Sequence, residues 1–189
     1  MTGSVDVVLL TLDSERMLKK CVQSIYDNIP VHKLIVVDGY STDKTLSIIG
    51  KFSERYQNVE ILMDKGNRAT ARQKGIERVS TEWFMFVDSD VILCSDWYKK
   101  AQKYIQSNVG ALWGIEVWST INNPKTLKIF LIVTRKISEV RGGTHDTLIR
   151  TELIKDIKIP NGLHVFEDAY IRDWIANKGY LVVACYSPF

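Results

Sequence analysis

The sequence predicts an α/β protein with a mostly parallel central sheet and helices on both faces. Short apolar runs predict four buried strands, at Val5–Leu10, Leu34–Val37, Val59–Met63 and Trp83–Val87. A segment with helical spacing of apolar residues follows each run, and such alternation over short connections is typical of parallel sheets. Right-handed crossovers then bring the carboxyl ends of the strands to one edge, where ligands of open α/β sheets bind.

Helical spacing of apolar residues predicts the four helices in this part of the chain. They lie around Met17–Ile25, Leu46–Phe52, Ala69–Val79 and Trp97–Ile105, and Pro30 ends the first. Residues that favour the N-cap position precede three of these helices, which predicts caps at Asp13 or Ser14, at Ser41 or Thr42, and at Ser95.

The pattern changes after Gly110. The predicted elements that follow are a strand at Ala111–Trp118, a basic amphipathic helix at Leu127–Ile137, a strand at Thr147–Arg150, a helix at Glu167–Lys178 and a strand at Tyr180–Cys185. No linker divides the sequence, so we expect residues 1–189 to form a single domain. The sequence stops directly after the last strand-like run, as it would if a C-terminal segment had been removed.

Length and composition exclude several classes of protein. The 189 residues are 46% hydrophobic and 25% charged, which is ordinary for a soluble globular domain, and a net charge of +3 does not indicate nucleic-acid binding. Cys21, Cys94 and Cys185 lack metal or disulfide spacing, so we expect a reducing, cytoplasmic location. The sequence shows no signal-peptide pattern and no apolar run near the ~20 residues that span a bilayer.

The stretch Trp83–Asp96, WFMFVDSDVILCSD, ends an apolar run in two carboxylates, Asp88 and Asp90. Residues i and i+2 of an extended chain point to the same side, so both carboxylates face one spot at a strand end. A cation relieves their repulsion, and oxygen ligands suit Mg²⁺ or Mn²⁺ bound together with a phosphate-bearing substrate. The alternative is a surface turn, in which Asp and Ser are ordinary residues.

The basic helix has two interpretations. Its apolar residues are Leu127, Phe130, Leu131 and Ile137, and its cations are Lys125, Lys128, Arg135, Lys136 and Arg141. One interpretation is a helix packed on the sheet with a solvated polar face. The other is peripheral contact with an anionic lipid surface, such as the inner face of a membrane, or with a lipid-linked substrate.

Four ordered segments together resemble family 2 glycosyltransferases with the GT-A (Rossmann-like) fold. These segments are IVVDGYSTDKT (Ile35–Thr45), ARQKGIERVSTEWFMFVDSDV (Ala71–Val91), GGTHDTLIR (Gly142–Arg150) and FEDAYIRDWIANKGY (Phe166–Tyr180). The resemblance covers nearly the whole chain. It implies an inverting enzyme that moves a sugar from a UDP- or GDP-sugar to a saccharide or to a polyprenyl or other lipid-linked acceptor. Residues 1–110 would bind the nucleotide sugar, and residues 111–189 would bind the acceptor.

The resemblance also implies roles for the donor-binding residues. Asp88-Ser89-Asp90 would be the Asp-x-Asp element, with Asp90 holding Mg²⁺ or Mn²⁺ and Asp88 facing the ribose or the cation. Arg68 and Arg72 would add positive charge near the diphosphate, and Leu10, Thr11, Leu12 and Asp38 would line the nucleoside pocket. Many relatives carry a second aspartate after Asp38, where this chain has Gly39, so the choice between uracil and guanine stays open.

On the acceptor side, Glu167-Asp168 resembles the acidic pair of the family. An inverting displacement needs a base opposite the leaving group, and Asp168 is the candidate, with Glu167 orienting the acceptor or the base. The alternative is that both carboxylates only complement a helix dipole. His145 and His164 are further candidates for a metal or acceptor contact, although a lone histidine is more often a packing or surface residue.

Three other classes of protein share parts of this pattern. A phospho-receiver domain needs an acidic pair after the first strand, which Leu10-Thr11-Leu12 does not supply. A nucleotidyltransferase is expected to have a glycine-rich basic loop there, and Thr11–Arg16 contains no glycine. A non-catalytic nucleotide- or sugar-binding protein with the same fold stays an alternative.

Overall fold

A computed structural model describes residues 3–114, 123–141 and 143–184 of the chain. Within these residues the strands form one seven-stranded sheet in the order β3-β2-β1-β4-β6-β5-β7. The strands are β1 (Val5–Thr11), β2 (Val31–Asp38), β3 (Val59–Met63), β4 (Trp83–Asp88), β5 (Val109–Trp113), β6 (Asp146–Arg150) and β7 (Leu181–Ala184). Only β6 runs antiparallel to its neighbours, β4 and β5, so the predicted mostly parallel sheet is confirmed.

Helices cover both faces of the sheet, as predicted. They are α1 (Glu15–Asn28), α2 (Thr45–Tyr56), α3 (Arg68–Ile76), α4 (Trp97–Ala101), α5 (Pro124–Arg141) and α6 (Glu167–Asn177). In the described ranges, no helix has both the length and the apolar character that crossing a bilayer requires.

The strands place alternate residues in two separate hydrophobic clusters. Val7 and Leu9 of β1 pack in the cluster that includes α1, α2 and α4, whereas Val8 packs in the cluster that includes α3 and α6. Phe84 and Phe86 of β4 lie in the second cluster, with their rings edge to face at 5.1 Å between centroids. This period of two explains why the central strands read as continuous apolar runs, since both of their faces are buried.

Two predicted helix caps are wrong. Helix α2 begins at Thr45 rather than after Ser41 or Thr42, because Ser41 is used by the Asp38 carboxylate in the preceding turn. Helix α4 follows Asp96, whose φ of 59° is left-handed, and not a capping Ser95. Ser14 does occupy the N-cap of α1, but its side chain makes no cap hydrogen bond.

Several predicted elements keep their type and change their bounds. The basic helix is α5, which is longer at both ends than the Leu127–Ile137 prediction. Strand β5 begins at Val109, and the part of its prediction beyond residue 114 lies outside the described residues, as does Cys185 of the last predicted strand. The loops after β1, β2, β3 and β4 reach one edge of the sheet, and the turn before β6 joins them there, because β6 runs in the opposite direction.

Candidate functional site

A cleft of about 1260 Å³ opens at this edge of the sheet. Its walls come from the end of β1, the loop before α3, the end of β4, the turn before β6 and the start of α6. All the predicted site residues except Asp38 line it: Leu10, Thr11, Leu12, Arg68, Arg72, Asp88, Asp90, Glu167 and Asp168. The structure therefore brings together acidic and basic residues from both ends of the sequence, at the edge where strand topology predicted a ligand site.

Arg72 joins the two acidic segments of the cleft. Its Nε donates to Glu167 Oε1 and its Nη2 donates to Asp88 Oδ1, both at 3.2 Å. The Arg72 and Glu167 side chains are 4% and 6% exposed, and the guanidinium lies 5.0 Å from the centroid of the Phe86 ring. Arg72 is thus a buried bridge between β4 and α6, and its role in adding positive charge near the diphosphate stays a prediction.

The loop that carries Asp88 and Asp90 is held by its backbone and by Ser89. The Asp88 amide donates to the His145 carbonyl at 2.9 Å, and the Val91 amide donates to the Asp88 carbonyl at 3.0 Å. The hydroxyls of Ser89 and Ser14 are 2.9 Å apart, which ties the loop to the start of α1. The two carboxylates stay accessible, because the Asp88 side chain is 38% exposed and Asp90 is exposed.

The Cys21 thiol lies beneath this loop and donates to the Asp88 carbonyl at 3.4 Å. Burial, with a further contribution from the negative charges of Asp90 and Asp88, raises the pKa of Cys21 to about 12. The thiolate is the reactive form of cysteine, so Cys21 is an inert core residue that supports the loop.

Asp38 is fully buried behind the cleft. Its carboxylate accepts hydrogen bonds from the hydroxyls of Thr11 and Ser41, at 2.7 and 2.6 Å, and from the Ser41 amide at 2.7 Å. Asp38 therefore fixes the loops after β1 and β2 relative to each other. The next residue, Gly39, leaves little room for a side chain, because a Cβ there would lie 3.1 Å from Leu12 Cδ1.

The acidic pair at the start of α6 divides into a buried and an accessible carboxylate. Glu167 is buried against Arg72, whereas Asp168 is half-buried, lines the cleft and accepts a 2.8 Å hydrogen bond from the Ala169 amide. Phe166 precedes them with a left-handed φ of 68°, which is uncommon for a bulky residue. This backbone turn presents the 60% exposed Phe166 ring and the exposed Val165 at the rim of the cleft.

Two histidines of the sequence prediction line the cleft. The His145 ring contacts the carboxylate of the buried Asp146, whose other oxygen accepts the Trp97 Nε1–H at 2.8 Å. His164, in the loop before α6, has its Nδ1 3.1 Å from Nδ2 of Asn67 at the start of α3. Carboxylate contact orients a histidine ring, so His145 is the better positioned of the two for a bound ligand.

Sequence reasoning missed the network that holds the loop before α3. Asn67 caps α3 by accepting from the amides of Ala69 and Thr70, and the Thr70 hydroxyl accepts from the Asn67 amide. Asp64 accepts from the Gly66 amide at 2.7 Å and from the Thr70 hydroxyl at 2.9 Å. The sequence signal for this capping box is Asn67 followed three residues later by Thr70, a position where Glu or Gln is more usual.

Among the described residues, no group of three or more His, Cys, Asp or Glu side chains is arranged to hold a metal ion. Asp88 and Asp90 nevertheless supply oxygen ligands at an accessible position. Mg²⁺ is commonly bound by one or two carboxylates together with substrate phosphates. The residues present fit a cation that arrives with a diphosphate, rather than one held by an all-protein cage.

The chain is similar to known proteins in both sequence and structure. The chain is 33% identical to the glycosyltransferase SunS of Bacillus subtilis over 91 residues, which cover 47% of this chain and 20% of SunS. In structure it is similar to Staphylococcus aureus TarS, with a TM-score of 0.75 and 21% identity over 98% of this chain and 58% of the TarS chain. It is also similar to the mannosyltransferase PcManGT of Pyrobaculum calidifontis, with a TM-score of 0.71 and 17% identity over 97% of this chain and 55% of that chain.

These likenesses differ in what they show. At such low identities the two solved structures show the GT-A fold alone, and the chain spans less than two thirds of the length of the curated relatives it matches. The family model for glycosyl transferase family 2 matches residues 6–153, most of the chain, including the Asp88-Ser89-Asp90 loop. The chain therefore belongs to glycosyl transferase family 2.

Proposed function

We propose that this chain carries the catalytic centre of an inverting glycosyltransferase. Its donor is a UDP- or GDP-sugar, and its acceptor is a saccharide hydroxyl or a lipid-linked phosphate. The observation that carries the proposal is the cleft in which Arg72 joins Asp88 of the donor side to Glu167 of the acceptor side, with Asp90 and Asp168 accessible beside them. The residues proposed to bind the leaving group and the residue proposed as the base therefore face the same cleft.

Asp88 and Asp90 are the residues that would hold Mg²⁺ or Mn²⁺ together with the donor diphosphate. Among the structural relatives, PcManGT is solved in complex with GDP-Man and Mn²⁺, which supports metal use here. A bound cation would stabilise the negative charge that develops on the departing nucleoside diphosphate. Arg68 lines the cleft at the start of α3 and is exposed, so it is available to pair with a phosphate oxygen.

The nucleoside would lie against the end of β1, along Leu10, Thr11 and Leu12. Asp38 acts from behind by holding the Thr11 and Ser41 hydroxyls in place. S. aureus TarS is solved with UDP and with UDP-GlcNAc, whereas PcManGT holds GDP-Man, so the relatives include users of both bases. Because Gly39 offers no carboxylate, the base would be recognised by other groups that line the cleft.

The transfer step assigns different roles to the two acidic residues of α6. Asp168 takes the proton of the acceptor hydroxyl as the acceptor oxygen bonds to the anomeric carbon. The bond from that carbon to the diphosphate oxygen breaks on the opposite side, and its electron pair leaves with the diphosphate, which inverts the anomeric centre. Glu167 is engaged by Arg72, so it positions the start of α6 and does not act as a base.

The acceptor would approach over the exposed Val165 and Phe166 at the rim of the cleft. Apolar side chains at this position suit the C–H face of a sugar ring or the first isoprene units of a lipid carrier. The expected cytoplasmic location of the enzyme and its single-domain organisation with donor and acceptor halves stay predictions.

The test is a screen of nucleotide sugars for thermal stabilisation of the protein with Mn²⁺, with Mg²⁺ and with EDTA. Ligand at a hundred times its Kd stabilises a folded protein by about 2.7 kcal/mol, which a melting experiment resolves. A turnover assay on each hit then separates an enzyme from a non-catalytic binding protein. Release of pyrophosphate from a nucleoside triphosphate mixed with a sugar 1-phosphate would instead indicate a nucleotidyltransferase.

The matched variants for this screen are Asp90→Asn and Asp27→Asn. Asp90→Asn should remove most of the metal-dependent part of the stabilisation, whereas Asp27→Asn alters an exposed carboxylate of α1 and should behave as wild type. Equal stabilisation in EDTA and in Mn²⁺ would refute the metal assignment. No stabilisation by any nucleotide or nucleotide sugar would refute the proposed donor site.

A further inference from the structure

Helix α5 presents an apolar surface to solvent. Ile129, Ile132 and Val133 are 64%, 55% and 51% exposed. Soluble proteins scatter single exposed apolar residues over their surfaces, but three that adjoin on one helix face form a patch. The patch needs an explanation that the catalytic cleft does not give, because none of the three residues lines it.

The packing of α5 on the rest of the molecule does not account for this surface. Leu127, Phe130 and Leu131 are partly buried, and α5 packs against the edge strand β7. At 100° per residue, these three residues fall in an arc of about 100°, and the centre of that arc lies opposite the side shared by Ile129, Ile132 and Val133. The core-helix interpretation therefore explains one side of α5 and leaves the other side apolar and uncovered.

Lysine side chains share the uncovered side. Lys125 and Lys128 are exposed, and they fall with Ile129, Ile132 and Val133 in an arc of about 140°. We call these five residues the outer face of α5. The segment 123–133 contains no acidic residue, so nothing in it neutralises the two cations. An apolar strip flanked by lysines is the composition of helices that lie in the interface of an anionic bilayer.

We propose that the outer face of α5 docks on the surface of an anionic lipid bilayer. The isoleucine and valine side chains would enter the boundary between headgroups and acyl chains, and the lysines would pair with lipid phosphates. The helix ends at Arg141, two residues before Gly143, which lines the cleft. Docking would thus hold the cleft beside the membrane, which suits a lipid-linked acceptor if the proposed function is right, although the docking itself does not depend on catalysis.

The test measures binding of the whole chain to vesicles, with no donor, acceptor or metal present. Vesicles of phosphatidylcholine alone and vesicles with 30% phosphatidylglycerol are floated through a density gradient at low and at physiological salt. We expect flotation with the anionic vesicles that weakens as salt rises, because the lysine contribution is screened. Failure to float with anionic vesicles at low salt overturns the proposal whatever the outcome of the donor screen.

Matched substitutions test the assigned face. Ile132→Gln should raise the lipid concentration for half-maximal binding about tenfold, because a side chain placed at the acyl boundary loses its apolar burial. Its control is Ile61→Gln, since Ile61 is 41% exposed on β3 at the other edge of the sheet. Lys125→Gln with Lys128→Gln should weaken binding about fivefold per lysine, against Lys51→Gln with Lys99→Gln as the control pair at exposed positions.

Two further outcomes would overturn the assignment. Equal binding by Ile132→Gln and Ile61→Gln would mean that another surface meets the lipid. Self-association of the wild type that Ile132→Gln abolishes, without flotation, would show that the outer face contacts a second copy of the chain instead. Sedimentation equilibrium in the absence of lipid measures that association directly.

Discussion

Two aspartates at opposite ends of neighbouring strands differ in how far the fold itself engages their carboxylates. Asp6 of β1 is opposite Phe84 of β4, and Asp88 of β4 is opposite Leu10 of β1. The buried Asp6 carboxylate accepts hydrogen bonds from the Ser80 amide at 2.6 Å and the Thr81 amide at 3.1 Å, and it contacts His32 Nδ1 at 2.7 Å. Asp88 has Arg72 at 3.2 Å and is 38% exposed.

The difference lies in how much hydrogen-bonding capacity the protein itself fills. An ionised carboxylate can accept about four hydrogen bonds. Asp6 has four such contacts within its own fold, the fourth from the Ser80 hydroxyl at 3.0 Å. Asp88, and Asp90 and Asp168 beside it, keep oxygens open to a cleft large enough for a ligand. A buried and satisfied carboxylate stabilises the fold, whereas an accessible one with free capacity is available for a cation, a phosphate or a proton.

The largest effect that this comparison predicts is on the proposed base. Asp168→Asn keeps the size of the side chain and removes its basicity, so transfer to a hydroxyl acceptor should fall about 10²–10⁴-fold. Donor binding and melting temperature should stay near wild type, because the Asp168 carboxylate accepts a hydrogen bond only from the adjacent Ala169 amide in the described part of the chain. Turnover, calorimetry with the donor and thermal melting measure the three quantities.

The control for this prediction is Asp90→Asn, which should lower metal-dependent donor binding as well as turnover. Near wild-type turnover of Asp168→Asn with the natural acceptor would refute the base assignment. It would also point to an acceptor that is already ionised, such as a lipid phosphate, because such an acceptor has no proton to lose.

The second prediction concerns Arg72, which pairs with one buried carboxylate, Glu167, and one accessible carboxylate, Asp88. Arg72→Gln leaves Glu167 as a buried charge without its partner, so the free energy of unfolding should fall by about 3–5 kcal/mol. Transfer should fall too, since Asp88 and the start of α6 lose their shared anchor. Urea unfolding and turnover per mole of folded protein measure the two effects separately.

A double variant separates the cost of the unpaired Glu167 charge from the loss of the Arg72 bridge. In Arg72→Gln with Glu167→Gln the buried charge is gone, so stability should recover relative to Arg72→Gln while transfer stays low. Arg72→Lys is the conservative comparison, because lysine keeps the charge but cannot bond both carboxylates in one plane. If the double variant is no more stable than Arg72→Gln, the unpaired Glu167 charge is not what destabilises the single variant.

The sequence predicted the positions of the strands because their apolar runs are continuous and short, and strand topology predicted that the ends of β1, β2 and β4 meet at one edge. The place of Glu167 and Asp168 near Asp88 was implied by the family resemblance and not by the strand pattern. It did not reveal the role of Arg72, whose partner Glu167 is 95 residues away. Helical spacing placed Arg72 on the apolar face of α3 without saying which charge it meets. Only the packing of α6 on the sheet supplies that partner.

Local competition for hydrogen bonds explains the wrong caps and the burial of Asp38. Ser41 was a reasonable cap by residue type, but the Asp38 carboxylate three residues earlier uses both its amide and its hydroxyl. Asp6 shows the same limit, since in the sequence it merely interrupts the apolar run Val5–Leu10. Its partners, the amides of Ser80 and Thr81, lie more than 70 residues away.

The smallest predicted effect concerns Asp6, the buried carboxylate of the two compared above. Burial alone would raise the pKa of Asp6, but the hydrogen bonds from Ser80, His32 and Thr81 outweigh it and hold that pKa below its usual range. Asp6 therefore contributes stability that is complete above the unfolded-state pKa near 3.8 and is lost as pH falls through the lower folded-state pKa. Asp6→Asn should cost about 1–3 kcal/mol at pH 7 and should leave turnover per mole of folded protein unchanged.

Urea unfolding at pH 7, 5, 4 and 3 measures this pH dependence. Wild type should lose more stability than Asp6→Asn between pH 5 and 3, because asparagine has no proton to gain and so the two curves converge in acid. Asp27→Asn, at an exposed position of α1, should run parallel to wild type. Parallel curves for wild type and Asp6→Asn would mean that the hydrogen bonds to Asp6 do not favour its charged form. A fall in turnover of folded Asp6→Asn would contradict the purely structural role assigned to Asp6.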